Sequence, residues 1–402
     1  MTRRELLRSL AMTAAGGAAF RLHAQRRPRR YDIVIQGGEV LDPSRGFRQR
    51  ADVAVLDGKI AAIEPNIPAE RGIDIVQAKG LLVTPGLVDL HTHIHSGLRL
   101  GIDADTVAAR SGVTTWVDAG TFAYSEADGF RRFIARPAQA RIFGFVYLYP
   151  SNRDPSQDPV EYCRKVMKPT GETVKANSDI ILGVKLQVGS NMNGPHSLDF
   201  LKIARELCDT YEVPLMAHIS FAPPTTDEVM ALMRPGDVVT HCFNTHTLGI
   251  LDGNGRIKDS VLDARKRGVL FDVGHGSGSF NFEVARKALD QDFLPDTIST
   301  DVYEDNVDGP VFDMPTTLSK MMSLGMSLED VLVRATANAA KVVNRLPGMG
   351  TLTVGGPADI ALLELADGQV NLIDSQRNVV PVQKSLRSRL TICRGKRLVA
   401  PV

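Results

Sequence analysis

The chain predicts an α/β fold: a (β/α)8 TIM barrel with a small β-sandwich subdomain built from both chain ends. Three observations predict it. Apolar strand-like runs alternate with helical stretches through the middle, turn-punctuated strand patterns stand at each end, and residues able to bind metal recur late in the middle runs.

At the N-terminal end, YDIVIQGGEVLD, ADVAVLDGKIAAI and GIDIVQAKGLLV alternate in polarity, with Gly37-Gly38 and Asp57-Gly58 as turns, so a small antiparallel unit is expected. ADIALLEL (358–365) and LTICRGKRLV (390–399) return to that style after Gly355-Gly356-Pro357. Residues 31–83 and 350–402 are therefore assigned to the sandwich and 84–349 to the barrel. Eight runs supply its strands: LVDLHTH (87–93), VTTWVDAGT (113–121), IFGFVYLYP (142–150), ILGVKLQV (181–188), PLMAHIS (214–220), DVVTHCF (237–243), VLFDVGH (269–275) and TISTD (297–301). A doubly wound open sheet fits less well, because no GxGxxG follows the first run.

Composition narrows the function classes. The formal charge is +1, but residues 1–30 carry eight Arg against one Glu, which leaves the rest at −6 (+1 − 7). A mildly acidic body does not suit nucleic acid. The basic start, Thr2-Arg3-Arg4-Glu5-Leu6-Leu7-Arg8, precedes a weakly apolar stretch from Ser9 to Phe20 and the small-residue site Leu22-His23-Ala24. Residues 1–25 are expected to be a twin-arginine signal, which implies a periplasmic or secreted protein with no membrane anchor in its mature form. Cys163, Cys208, Cys242 and Cys393 lack CxxC spacing and read as core thiols.

The chemistry concentrates in His91, His93, Lys185, His218, His241 and Asp301, each near the C-terminal end of its run. His91 and His93 stand two apart on a strand, so both point to one face, about 6.6 Å apart along the backbone. Their imidazoles can converge on one metal. A single buried histidine is more often a packed core residue, but four at the ends of three barrel strands are not explained that way. Asp301 would be desolvated there without a cation or donors beside it. Lys185 cannot ligate as an ammonium; its bland reading is a strand-end lysine reaching water.

The segments PGLVDLHTHIH (85–95), GVKLQ (183–187), MAHIS (216–220), VTHCF (239–243) and TISTD resemble the amidohydrolase superfamily in its binuclear, carbamylated-lysine branch. GVTTWVDAGT, THCFN and FDVGHGSGSF are most similar to its dihydroorotase-like deacetylase group. The resemblance implies two zinc ions: one on His91, His93 and Asp301, one on His218 and His241, with Lys185, carbamylated by CO2, bridging them. It further implies attack by a metal-bridging hydroxide, with Asp301 as catalytic acid and base. The expected substrate is a small molecule with an acyclic amide or ester, an N-acyl amino acid or an acylated 2-hydroxy acid. The alternatives are a cyclic amidase of dihydroorotase or hydantoinase type, a one-metal deaminase, and a catalytically inactive structural relative. Dihydroorotases place an arginine shortly after HxH; here Ile94-His95-Ser96-Gly97 stands there and Arg99 follows two positions on. Lys185 argues against the deaminase, and the complete ligand set against the inactive relative. The sequence sets no oligomeric state, and a homo-oligomer is compatible with it.

His275, Tyr149 and Phe280 are expected to contact substrate, because they lie at the ends of the seventh and third runs or in the loop after the seventh. His95 is expected to support the metal site, and His196 and His246 to lie in loops. Asp89 and Asp118 read as structural.

Overall fold

The computed structural model describes residues 30–98, 100–148 and 156–400. The N-terminal strands are β1 (Tyr31–Asp42), β2 (Phe47–Leu56), β3 (Lys59–Glu64), β4 (Gly72–Gln77) and β5 (Leu82–Pro85). Seven more follow: β6 (Leu87–Thr92), β7 (Val113–Ala123), β8 (Arg141–Tyr147), β9 (Ile181–Val188), β10 (Leu215–Ile219), β11 (Val238–Thr240) and β12 (Leu270–Asp272). The C-terminal set is β13 (Ile360–Ile373), β14 (Val379–Cys393) and β15 (Lys396–Arg397).

Strands β6 to β12 pair in sequence order, all parallel, as expected for repeated βα units. Every residue of β6 is buried, the mark of a sheet covered on both faces. Local chemistry starts and stops the helices between strands. Asp158 accepts from Val160 N and Glu161 N to begin the helix Pro159–Ala176. Asp103 caps the helix Ala104–Ser111, and Gly112, at φ 75, ends it and leads straight into β7.

The sheet is a curled α/β half-barrel, and the eighth run is not a strand. Residues 297–302 lie between the two edges, tied by single parallel bridges, Asp272↔Thr297 on one side and Thr92↔Val302 on the other. Asp301 N donates to His91 O and His93 N to Val302 O. A continuous ladder fails because Asp301 (φ 50) leaves extended geometry, and His241 (φ 72) likewise ends β11 before the run does.

The chain ends differ from the expected sandwich. Their eight strands form one hydrogen-bonded sheet in which β5 joins β13 to β1. It is mixed, since β1 runs parallel to β4 and β5 and antiparallel to β2. A bulge between Ile35 and Gly38 lets one long strand serve both parallel neighbours. A Cβ at Gly38 would come 2.4 Å from Val83, which explains the glycine.

Candidate metal centre

Six side chains from five segments meet in a cleft of about 570 Å³ at the C-terminal ends of the parallel strands: His91, His93, Lys185, His218, His241 and Asp301. A larger cavity, about 840 Å³, opens at the opposite ends near Ile181, Pro214 and Asp237 and contains none of them. In a βα fold of this kind chemistry belongs to the first face.

Hydrogen bonds to the outer ring nitrogens aim the imidazoles. His91 Nδ1 lies 2.8 Å from Thr240 Oγ1, and that hydroxyl donates its only proton to Asp272 Oδ2, 2.8 Å away. His91 Nδ1 is therefore the donor, and Nε2 carries the lone pair. His241 Nδ1 donates to Gly274 O at 2.6 Å, with the same consequence. His93 Nδ1 sits 2.8 Å from Thr121 Oγ1. Such outer partners fix the orientation of metal-binding histidines.

Two inward atoms lack a donor among the described residues. Asp301 Oδ1 stands 3.3 Å from His91 Nε2 and 3.2 Å from His93 Nε2, yet it is buried with no hydrogen bond among the described residues. These three ligand atoms lie within 4.8 Å of one another. Acceptors brought together in a dry site repel unless a cation sits among them. His218 is half-buried, but its Nε2 is shielded and unpartnered, and its ring meets that of His241 at 4.3 Å. The donor set fits a metal.

Electrostatics agree. Burial, with Lys185 and the neighbouring imidazoles, pushes His91 and His218 well below the usual histidine range. Burial lowers His241 to about 4, against the pull of Asp301. These three imidazoles are thereby held in the neutral form. Burial also lowers Lys185 to about 8, opposed by Asp301, Asp272 and Asp118. Its Nζ lies 2.9 Å from His91 Nε2.

The residues expected to bind substrate do not line the cleft together. His275 is fully buried: Nδ1 faces Gly276 O at 2.9 Å, and Nε2 takes Lys320 Nζ at 2.8 Å. Phe280 is buried against it with ring centroids 4.7 Å apart. Both stand behind the cleft wall because the glycine-rich loop turns its serines, Ser277 and Ser279, to the cavity instead. Tyr149, like Arg99 and residues 1–25, lies outside the described residues.

His95 is buried beside Phe122 and Phe130 and does not touch the centre. His246 stacks on Phe221, and His196 on Phe200. Asp118 accepts from Ile94 N, Gly120 N and Thr121 N, and Asp89 from Thr300, so both are structural. All four cysteines are free and buried.

Other contributors escaped the sequence. Asp272 accepts from Thr240, Thr297 and Ser299 and so knits two strand ends beneath His91. Tyr303 faces the cleft, its hydroxyl 2.7 Å from Ser277 Oγ. A polar residue every second position near strand ends was the available signal, but threonine and serine are too common for it to be specific.

A family model described as the amidohydrolase family matches residues 82–398. A deacetylase of Agrobacterium fabrum is 33% identical over 350 residues, covering 86% of this chain and 85% of its own. A deacetylase of Enterococcus faecalis is 31% identical over 372 residues, covering 91% and 98%. Two solved structures are 30% identical: one described as an adenine deaminase, TM-score 0.82, covering 91% of this chain and 99% of its own, and one as a dihydroorotase, 0.80, covering 92% and 99%. With the family model spanning most of the chain, over the strands that carry the six converging side chains, the protein belongs to the amidohydrolase family and is a hydrolase acting on amide bonds.

Proposed function

We propose that this chain is a binuclear zinc deacylase that cleaves an acyclic amide or ester, an N-acyl amino acid or an acylated 2-hydroxy acid. The observation that carries the reading is that Asp301 Oδ1, buried without a hydrogen-bond donor among the described residues, meets His91 Nε2 and His93 Nε2 within 4.8 Å, with the unpartnered Nε2 of His218 and the ring of His241 beside them. His91, His93 and Asp301 would hold one ion and His218 and His241 the other. Lys185 sits against His91, and its lowered pKa favours the neutral amine that adds to CO2, releasing a proton and leaving a carbamate as a shared anionic ligand. When bound, such ions supply Lewis acidity and lower the pKa of water toward about 7.

Asp301 is the group placed to move protons. It receives one from the attacking water and delivers it to the leaving nitrogen or oxygen. The outer partners Thr240, Thr121 and Gly274 hold the imidazoles while this happens. Leu98, Leu100 and Met192 give the cleft an apolar side for an acyl or side-chain group. The names of the two deacetylase relatives support acyclic substrates.

The test is turnover, by zinc-loaded protein, of N-acetyl D- and L-amino acids and acetylated 2-hydroxy acids beside dihydroorotate, hydantoins and adenine, with zinc counted by elemental analysis. Acyclic turnover with two zinc ions, and loss of both zinc and rate in Lys185→Ala, is the expected result. Turnover of cyclic substrates or adenine alone would transfer the protein to another branch.

Two structural readings accompany this one. Residues 297–302 take the place of the expected eighth strand, meeting both sheet edges through single bridges without forming a ladder. Residues 1–25 are proposed as a twin-arginine signal that exports the folded protein, to the periplasm or beyond.

A further inference from the structure

The hairpin of β13 and β14 belongs by pairing to the sheet of the chain ends, where its root joins β5. Its tip, residues 374–378, ends against the loop that walls the cleft. Asp374 is fully buried and accepts five hydrogen bonds. Three satisfy the tip itself, from Gln376 N, Asn378 N and Asn378 Nδ2, each at 2.9 Å. The other two leave it, from Asn281 Nδ2 and Phe282 N, each at 3.2 Å. Ser375 donates through N to Phe280 O at 3.0 Å and through Oγ to Gly276 O at 2.9 Å, and Phe280 N donates back to Oγ at 3.2 Å. Gln376 Nε2 donates to Thr245 Oγ1, at 2.7 Å, in the segment after His241.

A hairpin needs only the first three bonds to close its turn. The remainder grip two loops that carry the site. The gripped loop touches the centre directly: Gly274 O holds His241, and a Cβ at Gly276 would fall 2.4 Å from Asp301 Oδ2. Ser277, Gly278 and Ser279 line the cavity.

We propose that the hairpin tip, through Ser375 and Asp374, is a positioning device for the active-site loop 276–282, so that the sheet built from the chain ends sets the substrate wall of the cleft. The proposal rests on the cleft being the reaction site. Because His91 and His93 have their own outer partners, and the backbone of Gly274 to Gly276 that meets His241 and Asp301 is tied separately to Ser299 and Thr300, loosening the tip displaces the wall and leaves the ligands in place.

The experiment compares wild type, Ser375→Ala, Ser375→Thr and Asp301→Asn, all zinc-loaded, with whichever amide the wild type hydrolyses. In Ser375→Ala, KM rises about five- to tenfold, the size of one or two lost hydrogen bonds, while kcat stays within about twofold and zinc content is unchanged. Amide hydrogen exchange over residues 276–282 accelerates, and Ser375→Thr, which keeps the hydroxyl, restores both. An inactive Asp301→Asn together with unaltered KM and exchange in Ser375→Ala overturns the positioning role alone. Full turnover in Asp301→Asn overturns the site reading and this proposal with it.

Discussion

At the scale of single residues, the centre depends on atoms one step removed from the reacting ones. Thr240 donates its hydroxyl hydrogen bond to Asp272, so His91 Nδ1 must be the donor to Thr240 and the lone pair lies on Nε2, facing inward. Thr240→Val keeps the volume but removes that relay, and metal affinity measured by chelator competition should fall about 10- to 100-fold. Unchanged affinity would mean that packing alone orients His91. Asp301 is read as both ligand and proton carrier. Asp301→Asn should therefore lower kcat far more than KM in steady-state kinetics; a loss confined to KM would assign Asp301 to binding only. The HxH pair and the late positions of His218, His241 and Asp301 were legible because strand periodicity and run length fix them. The threonines and Asp272 were not, since their roles arise from pairing across strands that sequence spacing does not reveal.

Among elements, the loop after β12 shows how backbone space controls chemistry. Gly276, at φ 53, lies against the Asp301 carboxylate, whereas a Cβ at Gly278 would meet nothing within 4 Å. Gly276→Ala should push Asp301 out of register and lower kcat about 100-fold, the size of a misplaced catalytic group, while Gly278→Ala stays near wild type. Equal activity of both variants would show that the carboxylate tolerates the shift. FDVGHGSGSF announced a loop at the active face, but not which side chains face the cavity. His275 and Phe280 turned inward because Lys320 and the hairpin tip give them partners there. A burial choice between two faces of one loop is decided by what packs behind it.

Over the whole molecule, the free cysteines and the basic N-terminus bear on one another. Burial pushes Cys163 up to about 12 and raises Cys208, Cys242 and Cys393 as well. The thiols are thus protonated and shielded at neutral pH, which is compatible with the proposed export of an already folded protein. The purified protein should show no thiol reactive with an alkylating reagent while folded and four once unfolded. Replacing Arg3 and Arg4 by lysine should hold it in the cytoplasm; normal periplasmic yield would refute the export reading.

By itself the sequence determined the βα rhythm, the strand patterns at both chain ends, and the six residues that meet at the centre. These follow from hydrophobic period and from ligand types at run ends, which are local properties. Only the tertiary structure decided that the chain ends make one mixed sheet, that the eighth run bridges two strand edges without a ladder, and that a distant hairpin backs the active-site loop. Those outcomes depend on which backbone groups find partners across hundreds of residues. No window of sequence contains both members of such a pair.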